Sequence, residues 1–189
     1  MIRLVRLMAM RRATALLAVG TVACIATLAG SGYASGSGVT RCQIAHTRLS
    51  VSQPVSEATG QNTVSVVLTN RLSRSCTLKG YPTIGLLDRS SRRLSFTYSH
   101  RGDLMITSKK PAEVRVPAGG SALFLFNKYR CDIRALDTAR TLRLALPGSD
   151  VVRSVGLPRD SHIDYCRQSA SLTVAVSPIE RHLQNALSH

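Results

Sequence analysis

The chain contains no tryptophan, and phenylalanine and tyrosine together make up only 4% of its residues. Proteins that bind sugar rings or single-stranded nucleic acid by stacking need several exposed aromatic side chains. The scarcity of such side chains argues against both kinds of binding. The sequence also carries none of the recognised nucleic-acid-binding motifs, so no specific nucleic-acid partner is expected.

Acidic residues are scarce as well. The chain has ten of them against 25 lysines and arginines, and only Glu57, Glu113 and Glu180 are glutamates. It lacks the Gly-x-Ser-x-Gly elbow of hydrolases, the His-Glu-x-x-His zinc pair and the Gly-x-x-x-x-Gly-Lys phosphate loop. We therefore predict a protein without catalytic activity. A hydrolase in which His100 or His162 meets an aspartate across a cleft is the less favoured alternative.

The first 34 residues have the composition of a secretory signal peptide. Residues 1–12 carry four arginines and no acid, residues 13–29 are uncharged and mainly apolar, and small residues follow. This order predicts export and cleavage before Ser35. An uncleaved membrane anchor is the alternative, because the apolar run is near the lower length limit for spanning a bilayer. The Gly- and Ser-rich residues 35–41 are predicted to form a flexible tether.

Cys24 lies inside this apolar run and raises the question of lipid modification. Thr21-Val22-Ala23-Cys24 loosely resembles the box that precedes the lipid-modified cysteine of bacterial lipoproteins. However, Thr21 stands where that box has leucine, and the apolar run continues beyond the cysteine. Cys24 is therefore interpreted as a small apolar residue of the signal peptide, with lipoprotein anchoring as the alternative.

The remaining cysteines are even in number, and none of them forms a Cys-x-x-Cys motif. They are Cys42, Cys76, Cys131 and Cys166. In an exported chain this pattern predicts two disulfide bonds. Sequence alone allows three pairings. We favour Cys42–Cys76 and Cys131–Cys166, because each bond would tie one end of the domain to a nearby corner.

A metal site is the alternative use of these cysteines. His162, Asp164 and Cys166 alternate along the chain and would share one face of a strand. A structural zinc ion needs four ligands, and the sequence offers no second group to supply the rest. We therefore expect neither a metal nor any other cofactor.

The formal net charge is +15, and loss of a leader with four arginines and no acid lowers it by four, to +11. Such a charge indicates either an anionic envelope partner, such as a wall polymer or acidic lipid, or a solvated basic surface with nonspecific attraction for polyanions. We favour the solvated surface. The candidate anion-binding residues are Arg89, Arg92, Arg93, Lys109 and Lys110.

Short alternating segments predict the fold. The clearest strands are residues 62–70, 112–116, 121–129 and 141–146, with turn signals between them. Eight or nine such strands without alternating helices predict an antiparallel immunoglobulin-like β-sandwich, preceded by an N-terminal signal helix. The sandwich is expected over residues 42–178, and residues 179–189 are expected to be a C-terminal tail, either a short amphipathic helix or frayed.

Several weaker elements complete the prediction. We expect an edge strand at residues 48–55. We also expect a hairpin that has a basic tip at residues 89–93 and a return strand at residues 94–98. Residues 99–111 are expected to form a long loop, and residues 130–140 to hold a short helical turn. Further strands are expected at residues 83–88, 151–155 and 171–176.

Residues 64–88 are predicted to be two core strands joined at a corner made by Gly80, Tyr81 and Pro82. Cys76 is placed so that a disulfide bond would join this corner to a distant part of the chain. Tyr81 could be an exposed recognition residue. A corner tyrosine that donates a hydrogen bond to nearby backbone is, however, a recurrent device of β-sandwiches. We therefore predict a structural role for Tyr81.

Leu68-Thr69-Asn70 and Cys76-Thr77-Leu78-Lys79-Gly80-Tyr81-Pro82, followed by an apolar strand, resemble exported actinobacterial proteins of the domain-of-unknown-function family four-two-three-two. The turn at residues 116–122 is similar to that family's proline–glycine turn, although Ala118 is inserted before the glycines. The resemblance covers about residues 41–178. It implies a secreted or cell-envelope sandwich, often behind a lipoprotein signal, and supplies no catalytic residues. The leading interpretation is thus a non-catalytic binding or structural module.

Overall fold

The computed structural model describes residues 39–52, 55–56 and 60–188. The predicted leader, Cys24 and most of the predicted tether lie outside the described residues, as does His189. The strands within the described ranges are β1 (Thr47–Val51), β2 (Val55–Ser56), β3 (Gln61–Asn70), β4 (Cys76–Lys79), β5 (Thr83–Leu87), β6 (Thr97–Ser99), β7 (Glu113–Val116), β8 (Ser121–Tyr129), β9 (Asp137–Thr138), β10 (Thr141–Ala145), β11 (Val152–Gly156), β12 (Asp164–Tyr165) and β13 (Thr173–Val176). The short helices are two 3-10 turns, Ile44–His46 and Ser169–Ser171, and α1 (Leu183–Ala186).

The larger sheet has the strand order β1-β3-β8-β13-β6, with β2 also paired to β3. Its pairs are antiparallel except β13–β6, which is parallel. The long β3 and β8 form its centre, and β1 lies at an edge, as predicted for residues 48–55. The strand ends earlier than predicted, at Val51.

The smaller sheet has the order β11-β10-β5, and both of its pairs are antiparallel. Two further antiparallel pairs, β4–β7 and β9–β12, lie outside the two main sheets. The alternation predicted for residues 112–116 is confirmed in β7, where Val114 and Val116 are buried while Glu113 and Arg115 are exposed. A strand with one buried face produces this pattern.

The two main sheets share one hydrophobic core. Val66 of β3 and Phe124 of β8 belong to the same buried cluster as Leu86 of β5 and Leu142 of β10, and none of the four exposes any surface. Full burial of one such side chain contributes about 1.5–3 kcal/mol. This common core confirms the predicted all-β sandwich, since each sheet turns its apolar face toward the other.

Both predicted disulfide pairings are confirmed. Cys42 and Cys76 have Cα atoms 4.9 Å apart, and Cys131 and Cys166 have Cα atoms 6.1 Å apart. The first bond joins the start of the domain to β4. The second joins the end of β8 to the end of β12. In the chain-entropy model a loop of about 35 residues gives a stabilisation of about 3–4 kcal/mol per bond.

Two predictions for the first half of the sandwich are wrong. Strands β3 and β5 do not meet at one corner, because they belong to different sheets and β4 lies between them in sequence. The return strand expected at residues 94–98 does not form a full hairpin. Pairing with β5 ends at the Leu87–Arg93 bridge and the Leu94–Leu86 hydrogen bond. Leu94 and Phe96 are then buried in the core, where the chain passes from the smaller sheet to β6 of the larger sheet.

The helical turn expected within residues 130–140 is also wrong. This segment is extended and irregular, and it includes β9. Its backbone bonds are made with β12, because Leu136 N–H donates to the Tyr165 carbonyl at 2.7 Å and β9 pairs with that strand. Tertiary pairing therefore replaces the local helical bonds that the sequence suggested.

The long loop at residues 99–111 and the C-terminal tail cover the outer face of the larger sheet. Ile106 of the loop and Ala186 of α1 pack on Leu125 and Ala175 in a second buried cluster. Glu180 pairs with Leu123 of β8, so the tail is docked on the sheet. Burial raises the pKa of the Glu180 carboxyl, opposed by Lys109.

No helix of the described chain is both long and apolar enough to span a membrane.

Candidate functional site

The candidate anion-binding residues fall in two separate places. Arg89, Arg92 and Arg93 lie in the turn after β5. Lys109 and Lys110 lie in the loop over the larger sheet, near Tyr81, whose hydroxyl donates to the Lys109 carbonyl. The five residues of β5 separate Tyr81 from the turn by roughly 13 Å of strand. The five candidate residues therefore form two separate groups.

The turn after β5 is held by an ion pair between Asp88 and Arg92. Arg92 Nε lies 2.7 Å from Asp88 Oδ2, and the Arg92 backbone N–H donates to Asp88 Oδ1 at 2.8 Å. Burial acts to raise the pKa of Asp88, but the hydrogen bonds and charge of Arg92 outweigh it and lower that pKa. Arg92 also lies 3.3 Å from Asp137 Oδ2. The predicted anion ligand Arg92 is thus occupied by carboxylates of the protein itself.

Arg89 is joined by two arginines from distant parts of the chain. A surface hollow of about 350 Å³ is lined by Arg89, Arg140 and Arg159, together with Asp88. Arg140 Nη1 donates to the Arg159 carbonyl at 2.8 Å, which fixes the direction of the Arg140 side chain. An adjoining hollow of about 310 Å³ has Arg89 on one side and Arg140, Leu136 and Asp137 among its other walls.

Arg93 meets Arg143 on the outer face of the smaller sheet. Arg143 of β10 is in register with Gly85 of β5. The side chains of Arg93 and Arg143 lie about 4 Å from where a Cβ on Gly85 would be. They border a depression of about 180 Å³ beside Val152. A glycine at this register leaves room for Arg93 Nε beside the Cβ of Arg143.

None of these arginines takes part in an ion pair within the part of the chain that the structure describes. Among the residues that the structure describes, the ion pairs are Arg92–Asp88, Arg92–Asp137 and Arg130–Asp132. Guanidinium groups without an acidic partner attract anions and suit the bidentate binding of phosphate or carboxylate. We call this group the arginine surface. It consists of Arg89, Arg93, Arg140, Arg143 and Arg159.

Three residues of the arginine surface were not among the sequence-based candidates. Arg143 carried a signal in the sequence, because an alternating strand that turns Leu142 and Leu144 to the core turns Arg143 to the other face. Its closeness to Arg93 depends on the register between β5 and β10. Arg140 and Arg159 stand in irregular segments, and no local pattern marks them.

The Gly80-Tyr81-Pro82 corner has contacts that agree with its predicted structural role. Gly80 has φ +124, and its carbonyl accepts a hydrogen bond from Ile179 N–H at 3.0 Å. The Tyr81 ring stacks on His100 with centroids 4.0 Å apart. Its hydroxyl lies 3.5 Å from the His100 carbonyl and 3.4 Å from that of Lys109, both long for hydrogen bonds. The corner thus joins β5 to the loop and the tail.

The histidines show no catalytic arrangement within the described part of the chain. His100 stacks on Tyr81, and burial lowers its pKa. His162 is exposed in an irregular segment and has φ +46. Among the described residues, neither histidine forms an ion pair with a carboxylate. The described chain also holds no group of three potential metal ligands, and Cys166 is consumed by its disulfide.

Lys128 is a buried cation that sequence reasoning did not single out. It lies on the core side of β8 with none of its surface exposed. Its Nζ donates to the Tyr129 carbonyl at 2.6 Å and lies 3.7 Å from Cys131 Sγ. Burial lowers the pKa of Lys128 to about 8, although the Asp164 charge opposes this. The alternation of β8 could have found it, because even-numbered residues of that strand face the core.

A comparison with curated protein sequences found no match. A family model does match: that of the family described as Domain of unknown function (DUF4232), over residues 42–180. The matched region begins at the first disulfide cysteine and ends at Glu180, which pairs with β8. It therefore takes in both main sheets and both disulfides. Since the match covers well over half of the sequence, the chain belongs to the DUF4232 family.

Proposed function

We propose that this protein works outside the cytosol as a non-catalytic β-sandwich module that binds an anionic component of the cell envelope. The observation that carries the proposal is the arginine surface. Arg89, Arg140 and Arg159 line one hollow, and Arg93 and Arg143 border a second depression at the same small sheet. None of the five takes part in the ion pairs found within the described residues. Hollows lined mainly by charge of one sign focus the electrostatic field and raise the local concentration of anions.

Two features support the extracytoplasmic location. Disulfide bonds persist in oxidising compartments and are rare in the cytosol. The chain has two of them, and it begins with residues that have the composition of a signal peptide. The exported actinobacterial proteins that the sequence resembles are consistent with this location. Intact-mass measurement of protein from the exported fraction, with and without reduction, would report cleavage, lipidation and disulfides together. Four free thiols in that protein would contradict the proposed compartment.

Several features support binding without catalysis. An active site brings a nucleophile, a base and an orienting group into hydrogen-bond reach. His100 is instead stacked on Tyr81, and the buried Lys128 bonds to backbone. The arginine surface offers guanidinium groups, which bind anions but do not exchange protons at ordinary pH.

Binding can be tested by retention on dextran sulfate beads and on phosphatidylglycerol vesicles at rising salt. We expect retention at low salt that falls steeply as salt screens the charges. Arg89→Glu/Arg140→Glu/Arg159→Glu should abolish it. The matched control, Arg48→Glu/Arg71→Glu/Arg74→Glu, changes the net charge equally at exposed arginines elsewhere and should retain much more. Equal losses in both variants, or no retention of the natural chain on either material, would overturn the proposal.

A further inference from the structure

The segment from Cys131 to Leu136 exposes two large aliphatic side chains to solvent. Ile133 is 54% exposed and Leu136 is 59% exposed. Exposed apolar surface costs free energy in water, at about 25 cal/mol per Å². A flexible loop could fold these side chains back against the protein and so reduce that cost.

This segment is firmly held. The Cys131–Cys166 disulfide fixes its start. The Asp132 backbone N–H and carboxylate both bond to the Gln168 side-chain amide at 2.9 Å. Leu136 N–H donates to the Tyr165 carbonyl at 2.7 Å. The protein therefore holds Ile133 and Leu136 outward on a rigid support, which we call the aliphatic loop (residues 131–136).

The aliphatic loop borders the arginine surface. Leu136 lines the same hollow of about 310 Å³ as Arg89 and Arg140. The carboxylate in that hollow, Asp137, lies 3.3 Å from Arg92 and is compensated by it. An exposed aliphatic side chain thus lies beside two guanidinium groups that form no ion pair among the residues described by the structure.

This combination favours a lipid surface over a soluble polymer. A soluble polyanion would use the arginines but would leave Ile133 and Leu136 in water. At the boundary between headgroups and acyl chains, aliphatic side chains are buried while arginines meet the phosphates. Arg134, exposed between the two aliphatic residues, adds a further cation at that level.

We infer that the aliphatic loop inserts Ile133 and Leu136 into an anionic membrane while Arg89 and Arg140 bind a lipid phosphate in the adjoining hollow. The inference rests on the proposed function and names its partner as an acidic phospholipid bilayer. Insertion adds an apolar contribution that salt does not screen, so binding to vesicles should respond less to salt than binding to a soluble polyanion does.

The first test is flotation with vesicles of phosphatidylcholine containing phosphatidylglycerol, and with vesicles of phosphatidylcholine alone. We expect binding only to the anionic vesicles. Ile133→Ser/Leu136→Ser should weaken it by about tenfold or more, because two buried aliphatic side chains are lost. Retention on dextran sulfate should stay unchanged. Leu104→Ser, which alters a side chain that is 73% exposed in the loop over the larger sheet, is the matched control and should leave both unchanged.

The second test uses the absence of natural tryptophan. Leu136→Trp introduces a single reporter, and its fluorescence should shift to the blue on addition of phosphatidylglycerol vesicles. Leu104→Trp should show no shift. Circular dichroism checks that each variant is folded, and these exposed positions leave the core intact.

The outcomes separate the two proposals. If the serine variant binds vesicles as well as the natural chain does, or if Leu136→Trp shows no blue shift, insertion is overturned while anion binding stands. If the natural chain is retained on dextran sulfate but not on anionic vesicles, the partner is a polymer and the lipid inference fails. If neither material retains it at low salt, the proposed function fails as well.

Discussion

The two outer faces of the sandwich differ in what covers them. On the larger sheet, Leu125 and Ala175 lie beneath the loop and the C-terminal tail, and both are buried. On the smaller sheet, Arg143, Ser154 and Gly156 are exposed, and a side chain on Gly156 would meet no atom within 4 Å. Apolar residues at outward positions need a cover, whereas arginine, serine and glycine do not. The outer face of the smaller sheet therefore leaves Arg143 accessible to solvent.

The cover of the larger sheet is fastened by a buried polar group. Asn127 of β8 is fully buried, and its amide donates to Asp103 Oδ2 at 2.7 Å and to Gln61 Oε1 at 2.6 Å. Asp103 Oδ1 in turn accepts the backbone N–H groups of Met105 and Ile106. One carboxylate thus shapes the loop and anchors it to the sheet. On the open face, Arg143 occupies an outward position of β10.

The largest loss of stability is expected from shortening a side chain that lies beneath the loop and the tail. Leu125→Ala should lower the free energy of unfolding by about 2–4 kcal/mol, because Leu125 is only 2% exposed and its loss leaves a cavity between sheet and tail. Urea denaturation followed by circular dichroism measures this change. A loss below 0.5 kcal/mol, the limit typical of surface substitutions, would show that the loop and tail add little to stability.

A smaller loss is expected where the loop is anchored. Asp103→Ala removes a partner of buried Asn127 and two bonds to loop backbone, and should cost about 1–3 kcal/mol. Loop amides should also exchange faster in hydrogen-exchange measurements. Asp150→Ala, at an exposed aspartate, is the control and should change little. Equal effects of the two substitutions would contradict the anchoring role.

The burial of Lys128 between the two faces can be tested by the pH dependence of the free energy of unfolding. The pKa of Lys128 is about 8 in the folded chain against an ordinary 10.5. Between these values the unfolded chain binds a proton that the folded chain has lost, so the free energy of unfolding should rise with pH. Lys128→Met should lack this contribution. Unfolding of both proteins between pH 7.5 and about 9.5 measures it, and parallel curves would contradict the buried position.

The smallest effect is expected on the open face. Arg143→Ala should change the free energy of unfolding by no more than about 0.5 kcal/mol, since its exposed side chain has no ion pair within the described residues. Thermal or urea unfolding measures stability, and retention on dextran sulfate should weaken. A large loss of stability would mean that Arg143 shields Gly85 and the sheet beneath, which would make the two outer faces alike.

Sequence reasoning was accurate wherever a local pattern carried the information. Strand β8 was predicted with its observed bounds, residues 121–129, because five consecutive apolar residues leave no doubt about a core strand. Sequence reasoning was wrong where the chain passes from one sheet to the other. Residues 94–98 look like the second half of a hairpin, and only the burial of Phe96 in the common core explains their crossing.

The candidate site was predicted only in part. Arg89, Arg92 and Arg93 were named from their run of basic residues. The pairing of Arg92 with Asp88 and Asp137 could not be foreseen, because it depends on the folded turn. Arg140 and Arg159 come from other segments and meet Arg89 only in three dimensions. The exposure of Leu136 could not be predicted either, because a lone leucine in an irregular segment is as consistent with burial.

By itself, the sequence determined the sandwich and the number of its covalent bridges, because alternation along strands and an even number of cysteines are local or countable properties. The tertiary structure decided which outer face is covered and which arginines share a hollow. Those outcomes depend on strand register, on the crossing between sheets and on the competition of carboxylates for each guanidinium group, and all three arise only when distant segments meet.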